Sequence, residues 1–125
     1  MISGLGTDVV SIDRIRKMLE RHGKNIMNRV YTEAEQAEAA ARNNPVEYYA
    51  GRWCAKEALS KALRCGIGEQ CAWLDISVLN GASGAPELKL TGAALTTASE
   101  LGCKHIHVSI SHERKYAVAT VVIES

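Results

Sequence analysis

The chain has 125 residues, 46% hydrophobic and 23% charged, which suits one globular unit with its own core and excludes fibrous and disordered classes. Fifteen basic residues against fourteen acidic ones leave a net charge of +1, too even to name a nucleic-acid or membrane partner. Cys54, Cys65, Cys71 and Cys103 form no Cys-x-x-Cys pair, which argues against a zinc site. Met1-Ile2-Ser3-Gly4 does not open a signal peptide, and no stretch reaches the length of a membrane span. With four free thiols, the expected location is the reducing cytoplasm.

Ile2 to Val10 reads as a strand rich in β-branched residues, with Ser11 capping a helix whose apolar stripe is Ile12, Ile15, Met18 and Leu19. That helix is expected to stop near Gly23. Thr32-x-x-Glu35 is a capping box for a short Ala/Glu-rich helix ending around Asn43-Asn44. Pro45 suits the first turn of a longer helix through about Arg64, which buries Tyr48, Ala55, Leu59, Ala62 and Leu63 and carries Trp53, Glu57, Lys61 and Arg64 on another face. Trp73 to Leu79 and Glu87 to Leu90 read as strands joined by the loop Asn80 to Pro86, and Gly92 to Leu101 as a helix closed by Gly102. A final hairpin pairs His105–Ile110 with Tyr116–Ile123 around His112-Glu113-Arg114-Lys115. Its last strand is apolar on both faces, so it is expected to be central or covered on both sides. Without repeats or linkers, residues 1–125 are expected to form a single α+β domain, a mostly antiparallel sheet on a long central helix.

Two stretches carry the chemistry. On a strand Gly4, Gly6 and Asp8 share a face, and two missing side chains beside one acid leave room for a ligand or a neighbouring backbone. Gly4-x-Gly6 is not a dinucleotide fingerprint, because the third glycine is Val9 and the glycines lie within the strand. In the second stretch, Glu57 and Lys61 stand one helical turn apart, with Trp53 a turn before and Arg64 nearly a turn after. A strand carboxylate with a helix carboxylate and lysine could hold Mg²⁺ and a polyphosphate, since Mg²⁺ takes one or two protein carboxylates and completes its shell with phosphates and water. The plainer alternative is a solvated Glu–Lys helix pair worth about 0.2–0.5 kcal/mol, with Asp8 a strand-end cap. Arg52, Lys56 and Arg64 on the same helix weigh toward the anion site.

From Arg14 to Arg29 six basic residues face Glu20 alone, which points to an anionic partner there. Arg14, Met18 and Arg21 share one helical face suited to an acidic, partly apolar helix. His105 and His107 share a strand face but lack an evident third ligand. His112, beside Ser111 at a strand end, is the better-placed histidine.

Together these motifs resemble the holo-acyl-carrier-protein synthases, the small bacterial group of 4′-phosphopantetheinyl transferases. Gly4-Leu5-Gly6-Thr7-Asp8-Val9-Val10-Ser11-Ile12-Asp13-Arg14-Ile15 matches the family's opening, and Arg52-Trp53-Cys54-Ala55-Lys56-Glu57-Ala58-Leu59-Ser60-Lys61-Ala62 its helical signature. Gly84-Ala85-Pro86 matches the Gly-x-Pro loop, and His107 to His112 the closing segment. The match runs in order from residue 2 to residue 124. Trp53 stands where the family usually has Phe, and Leu63-Arg64-Cys65-Gly66-Ile67 where a Gly usually follows the aromatic, which would add the charge of Arg64 near the phosphate site.

The resemblance implies that Asp8 and Glu57 bind Mg²⁺ and that Lys61 neutralises the phosphate under attack. It assigns Arg52, Lys61, Gly84, Pro86 and His112 to coenzyme A, and Arg14, Met18 and Arg21 to docking of the acyl carrier protein. The implied reaction is transfer of 4′-phosphopantetheine from coenzyme A to a carrier serine, releasing adenosine 3′,5′-bisphosphate, in fatty acid biosynthesis. Either carboxylate, directly or through a water, could accept the serine proton. A homotrimer with sites between protomers is implied too, Asp8, Glu57 and Lys61 from one subunit meeting His112 and the Gly84 loop of the next. The competing classes are a nucleic-acid module on the Arg14–Arg29 stretch, disfavoured by 5% aromatics with no Phe, and a metal protein on His105 and His107.

Overall fold

In the computed structural model, which describes Met1–Ser125, both chain ends meet in one sheet: β1 (Ile2–Ser11) runs antiparallel to β5 (Tyr116–Glu124). β5 also pairs antiparallel with β4 (His105–His112), so the strand order is β1-β5-β4. β2 (Ile76–Asn80) and β3 (Pro86–Leu90) form a separate antiparallel ribbon. The helices are α1 (Ile12–His22), α2 (Lys24–Val30), α3 (Glu33–Ala40), α4 (Pro45–Ala62) and α5 (Gly92–Glu100). This is the expected α+β architecture of a mostly antiparallel sheet on a long central helix.

α4 lies at the centre because Ala50, Cys54, Ala55, Ala58, Leu59 and Ala62 let neighbouring elements approach closely, and all six are buried. β1 comes nearest. A Cβ on Gly6 would fall on the Ala58 carbonyl oxygen and 2.7 Å from Ala62 N, and one on Gly4 would fall on the Ala62 carbonyl oxygen. Of the two uses open to these glycines, the neighbouring backbone is the one realised. A single cluster of 24 buried residues joins β1, β5, α1, α4 and the β2–β3 ribbon.

Local signals hold where they are strong. Ser11 accepts the Arg14 N–H at 3.2 Å, Thr32 and Glu35 make the reciprocal capping box, and Gly102 closes the α5 end with φ +73°. The helix α2 has no counterpart in the sequence reading. α3 ends at Ala40, short of Asn43-Asn44, because the Ala41 and Arg42 N–H groups bond three residues back and tighten the last turn. Trp73–Asp75, expected to begin a strand, is a 3₁₀ turn in which the Asp75 carboxylate accepts the Ala72 and Ala94 N–H groups. β4 runs on through His112, which leaves Glu113–Lys115 as the turn.

β5 is central, yet only one of its faces is covered within the chain. Ala117, Ala119, Val121 and Ile123 are buried, while Val118 and Tyr116 stand exposed beside Val9 (63%) and Leu5 (67%) of β1. An exposed apolar sheet face of this kind marks an interaction surface.

Arg64 has φ +64°, the left-handed conformation that costs a side-chain-bearing residue about 1–2 kcal/mol. Cys65 and Gly66 both return their N–H groups to the Ser60 carbonyl around it, a helix C-terminal turn that favours glycine. The structure thus accounts for the glycine usual in the resembled family.

Candidate active site

β1 and α4 bring Asp8, Glu57 and Lys61 together. Lys61 Nζ lies 3.1 Å from Asp8 Oδ1 and donates to the Thr7 carbonyl at 3.0 Å. Lys61 therefore pairs across to the strand and not with Glu57 along its own helix, which rules out the solvated helix pair. The Glu57 carboxylate has no hydrogen-bond or ion-pair partner in the chain; its backbone carbonyl accepts the Ser60 hydroxyl at 2.7 Å. Burial first, then the Asp8 charge, raise the Glu57 carboxyl above its ordinary value, with Lys61 opposing.

Two crowded carboxylates beside one amine have unspent capacity for a cation. No cluster of three or more His, Cys, Asp or Glu side chains exists to hold a metal by protein groups alone. Two carboxylates open to solvent suit Mg²⁺ shared with phosphate oxygens, so the residues fit the metal that the resemblance implies. Cys54 sits beneath Asp8, its thiol donating to the Ala117 carbonyl at 3.4 Å and pushed up to about 12 by burial and by Asp8. A thiol held protonated there is no nucleophile.

A second cluster lies at the other end of α4. Ten residues separate Glu47 from Glu57, roughly 15 Å along the helix. His112 Nδ1 lies 2.7 Å from Glu47 Oε2, over a cleft of about 220 Å³ lined also by Arg42, Asn44, Tyr48 and Arg52. The expected site residues thus form two groups within one chain, Asp8, Glu57 and Lys61 against the second half of α4 and Arg52 and His112 at the cleft over its first half.

Arg52 departs from a simple ligand role. Its side chain is only 8% exposed; Nε donates to the Val78 carbonyl at 3.0 Å, and Nη2 to Asn80 Oδ1 at 2.8 Å and Glu38 Oε1 at 3.0 Å. It stacks 4.1 Å from the Tyr48 ring centroid. The guanidinium thus braces the β2–β3 ribbon at Asn80, the residue opposite Pro86. Gly84 shapes the loop beyond through φ +89° and not through a close approach, since nothing lies near its Cβ position.

Two cations differ from the sequence reading. Lys56, counted among the charges favouring an anion site, is completely buried: its Nζ is 2.7 Å from Glu35 Oε1, 2.6 Å from the Val30 carbonyl and 3.1 Å from the Trp73 carbonyl. Arg64 donates to the Ser3 carbonyl at 3.2 Å, five residues up β1 from Asp8 and so roughly 16 Å away along the strand. It adds no charge at the carboxylates, because the left-handed turn at Arg64 sends its side chain the other way. Trp53 packs on Trp73 with ring centroids 4.4 Å apart.

Arg14, Met18 and Arg21 line one groove on α1, about 490 Å³ in volume, together with Lys17. β1 links this groove to the carboxylates, with Asp8 three residues before the Ser11 cap. His107 Nε2 lies 2.5 Å from Glu124 on the neighbouring strand. Arg42, Asn44 and Glu47 were missed by the sequence reading, and Tyr48, correctly expected to be buried, was not read as part of a cleft. The one available signal was Asn44-Pro45-x-Glu47, a polar pair at a helix start whose side chains meet, Asn44 Nδ2 lying 2.5 Å from Glu47 Oε1.

A family model described as the 4′-phosphopantetheinyl transferase superfamily matches residues 4–121. The holo-acyl-carrier-protein synthase of Vibrio parahaemolyticus is 45% identical over 124 residues, covering 99% of this chain and 98% of its own. The crystal structure of the Neisseria meningitidis holo-acyl-carrier-protein synthase superposes with a TM-score of 0.93 at 34% identity, over 100% of both chains. That of Bacillus anthracis, in complex with CoA (3′,5′-ADP), gives a TM-score of 0.84 at 39% identity, over 100% of this chain and 98% of that one.

Proposed function

This chain belongs to the 4′-phosphopantetheinyl transferase superfamily, in its holo-acyl-carrier-protein synthase group, and we propose that it moves 4′-phosphopantetheine from coenzyme A to a serine of an apo acyl carrier protein. The whole chain, 1–125, acts as one catalytic domain. Adenosine 3′,5′-bisphosphate leaves, and the product serves fatty acid biosynthesis in the cytoplasm. The observation that carries this reading is the meeting of Asp8, Glu57 and Lys61 in one partly open site, two carboxylates and an amine beside the helix bearing Arg14 and Arg21.

Asp8 and Glu57 would hold Mg²⁺, which supplies charge neutralisation at the pyrophosphate when bound. Lys61, half-exposed beside Asp8, would stabilise the charge that develops on the phosphate under attack. Transfer of this type needs in-line positioning and charge neutralisation more than covalent help. Asp8 or Glu57, directly or through a water, takes the proton of the attacking serine; burial and the Asp8 charge raise the Glu57 carboxyl above its ordinary value, which makes it a better proton acceptor than an ordinary carboxylate. Arg14, Met18 and Arg21 receive the acidic carrier. Arg52 braces the floor of the nucleotide cleft, and His112, Gly84 and Pro86 contact the 3′-phospho-ADP end.

Lys61 and Glu47, the α4 partners of Asp8 and His112, lie toward opposite ends of that helix, and a complete site assembled between protomers is what the resemblance implies. The uncovered face of β1 and β5 supports a homotrimer as that assembly. The direct test is intact-mass measurement of apo acyl carrier protein incubated with this chain, coenzyme A and Mg²⁺. The expected result is a gain of one phosphopantetheine per carrier that disappears on chelating the metal; an unchanged carrier mass sinks the proposal.

A further inference from the structure

We propose that Glu47 is a positioning residue of the nucleotide cleft: it fixes the His112 ring so that Nε2 faces the 3′-phosphate, and so sets the preference for coenzyme A over its 3′-dephospho form. This rests on the function proposed above. Glu47 lies in the first turn of α4, and both its oxygens are engaged, Oε2 at 2.7 Å from His112 Nδ1 and Oε1 accepting from Asn44 Nδ2. One turn later, Gly51 lets β4 rest on the helix, since a Cβ there would lie 2.9 Å from Ile110 Cγ2. His112 follows Ile110 by two on the same strand, so it arrives on the same face, above Glu47.

A carboxylate 2.7 Å from Nδ1 favours a proton on that nitrogen, and Nε2 is left without a partner in the chain. The charged groups lining the cleft beside His112 are Arg42, Arg52 and Glu47, with the Tyr48 ring beneath both arginines and Glu38 bonded to them from outside the lining. Glu38 is spent on those arginines, at 3.0 Å from Arg52 and 3.6 Å from Arg42. A phosphate monoester seated at Nε2 would flank the ring with a second anion. The ring nitrogen Nε2 and the phosphate then share one proton, supplied by the monoester's own second ionisation, while Nδ1 keeps its contact with Glu47. Glu47 thereby turns a freely rotating ring into a fixed phosphate donor.

The experiment compares wild type, Glu47→Gln and Glu47→Ala with coenzyme A and 3′-dephospho-coenzyme A as donors, and records ¹⁵N shifts of the His112 ring. The expected result for Glu47→Gln is a roughly tenfold smaller preference for coenzyme A, through a higher KM with kcat little changed, and no change in KM for the dephospho donor. In Glu47→Ala the ring should lose its Nδ1-protonated tautomer. The Gln variant retains the shape of the helix start, and a thermal melt like wild type guards against unfolding as the cause. An active wild type with unchanged donor preference in Glu47→Gln overturns the role of Glu47 alone. A wild type that modifies no carrier with either donor overturns the proposed activity, and this role with it.

Discussion

Lys56 and Lys61 leave the same helix five residues apart, and each reaches a carboxylate from another element, Lys56 at 2.7 Å from Glu35 and Lys61 at 3.1 Å from Asp8. Their surroundings differ completely. Lys56 is fully buried with its ammonium bound to one carboxylate and two carbonyls, while Glu35 also accepts the Thr32 and Val78 N–H groups. Burial pulls the Lys56 amine down and Glu35 holds it up. The pair ties the α2 end, the α3 cap and β2 to α4, and no donor or acceptor is left over for a ligand. Lys61 is half-exposed, makes two bonds, and stands beside a carboxylate with no partner of its own. A junction spends every polar group on the protein; a site keeps some unspent.

The comparison can be broken first at Lys56. Lys56→Ala leaves the Glu35 carboxylate buried and unpaired, so stability should fall by about 3–5 kcal/mol in chemical denaturation. A drop below about 1 kcal/mol would mean that water reaches the Glu35 carboxylate and the junction is not closed.

Asp8→Ala and Glu57→Ala should do the reverse, lowering transfer at least roughly a hundredfold with melting temperature nearly unchanged. Near-normal turnover at low Mg²⁺ would remove that carboxylate from the metal. Lys61→Ala should lower kcat more than it weakens coenzyme A binding, which single-turnover kinetics and calorimetry separate. On the docking groove, Arg14→Glu with Arg21→Glu should raise KM for the carrier and flatten its salt dependence, with coenzyme A affinity nearly constant. Wild-type efficiency at low salt would make the groove an ordinary solvated face.

The smallest effect sharpens the contrast through pH. The Glu57 carboxyl is raised above its ordinary 4.5, so the folded state holds that proton more tightly than the unfolded state. Its contribution to stability is therefore lost as pH rises through the raised value. Glu57→Gln should remove this penalty and raise stability slightly at pH 7, although transfer is lost. In wild type, transfer should decline on acidification through the raised value, and added Mg²⁺ should move that limb lower. An acidic limb insensitive to Mg²⁺ would assign it to another group.

Much of this protein was legible from local signals alone. Ser11, the Thr32–Glu35 box, Pro45 and Gly102 mark chain positions by chemistry that acts over three or four residues, and the structure follows them. The sequence by itself also put Gly4, Gly6 and Asp8 on one strand face, because side-chain alternation is fixed by the backbone. It set Lys61 beside Glu57 on one helical face but still counted Lys56 toward the anion site, because only burial by α2, α3 and β2 shows that cation to be spent on the fold. It also could not find Glu47, whose partner lies 65 residues away and arrives only because Gly51 lets β4 settle on α4. Tertiary structure alone decided which cations are spent on the fold and which remain for a ligand, because desolvation depends on what every other element packs against that side chain.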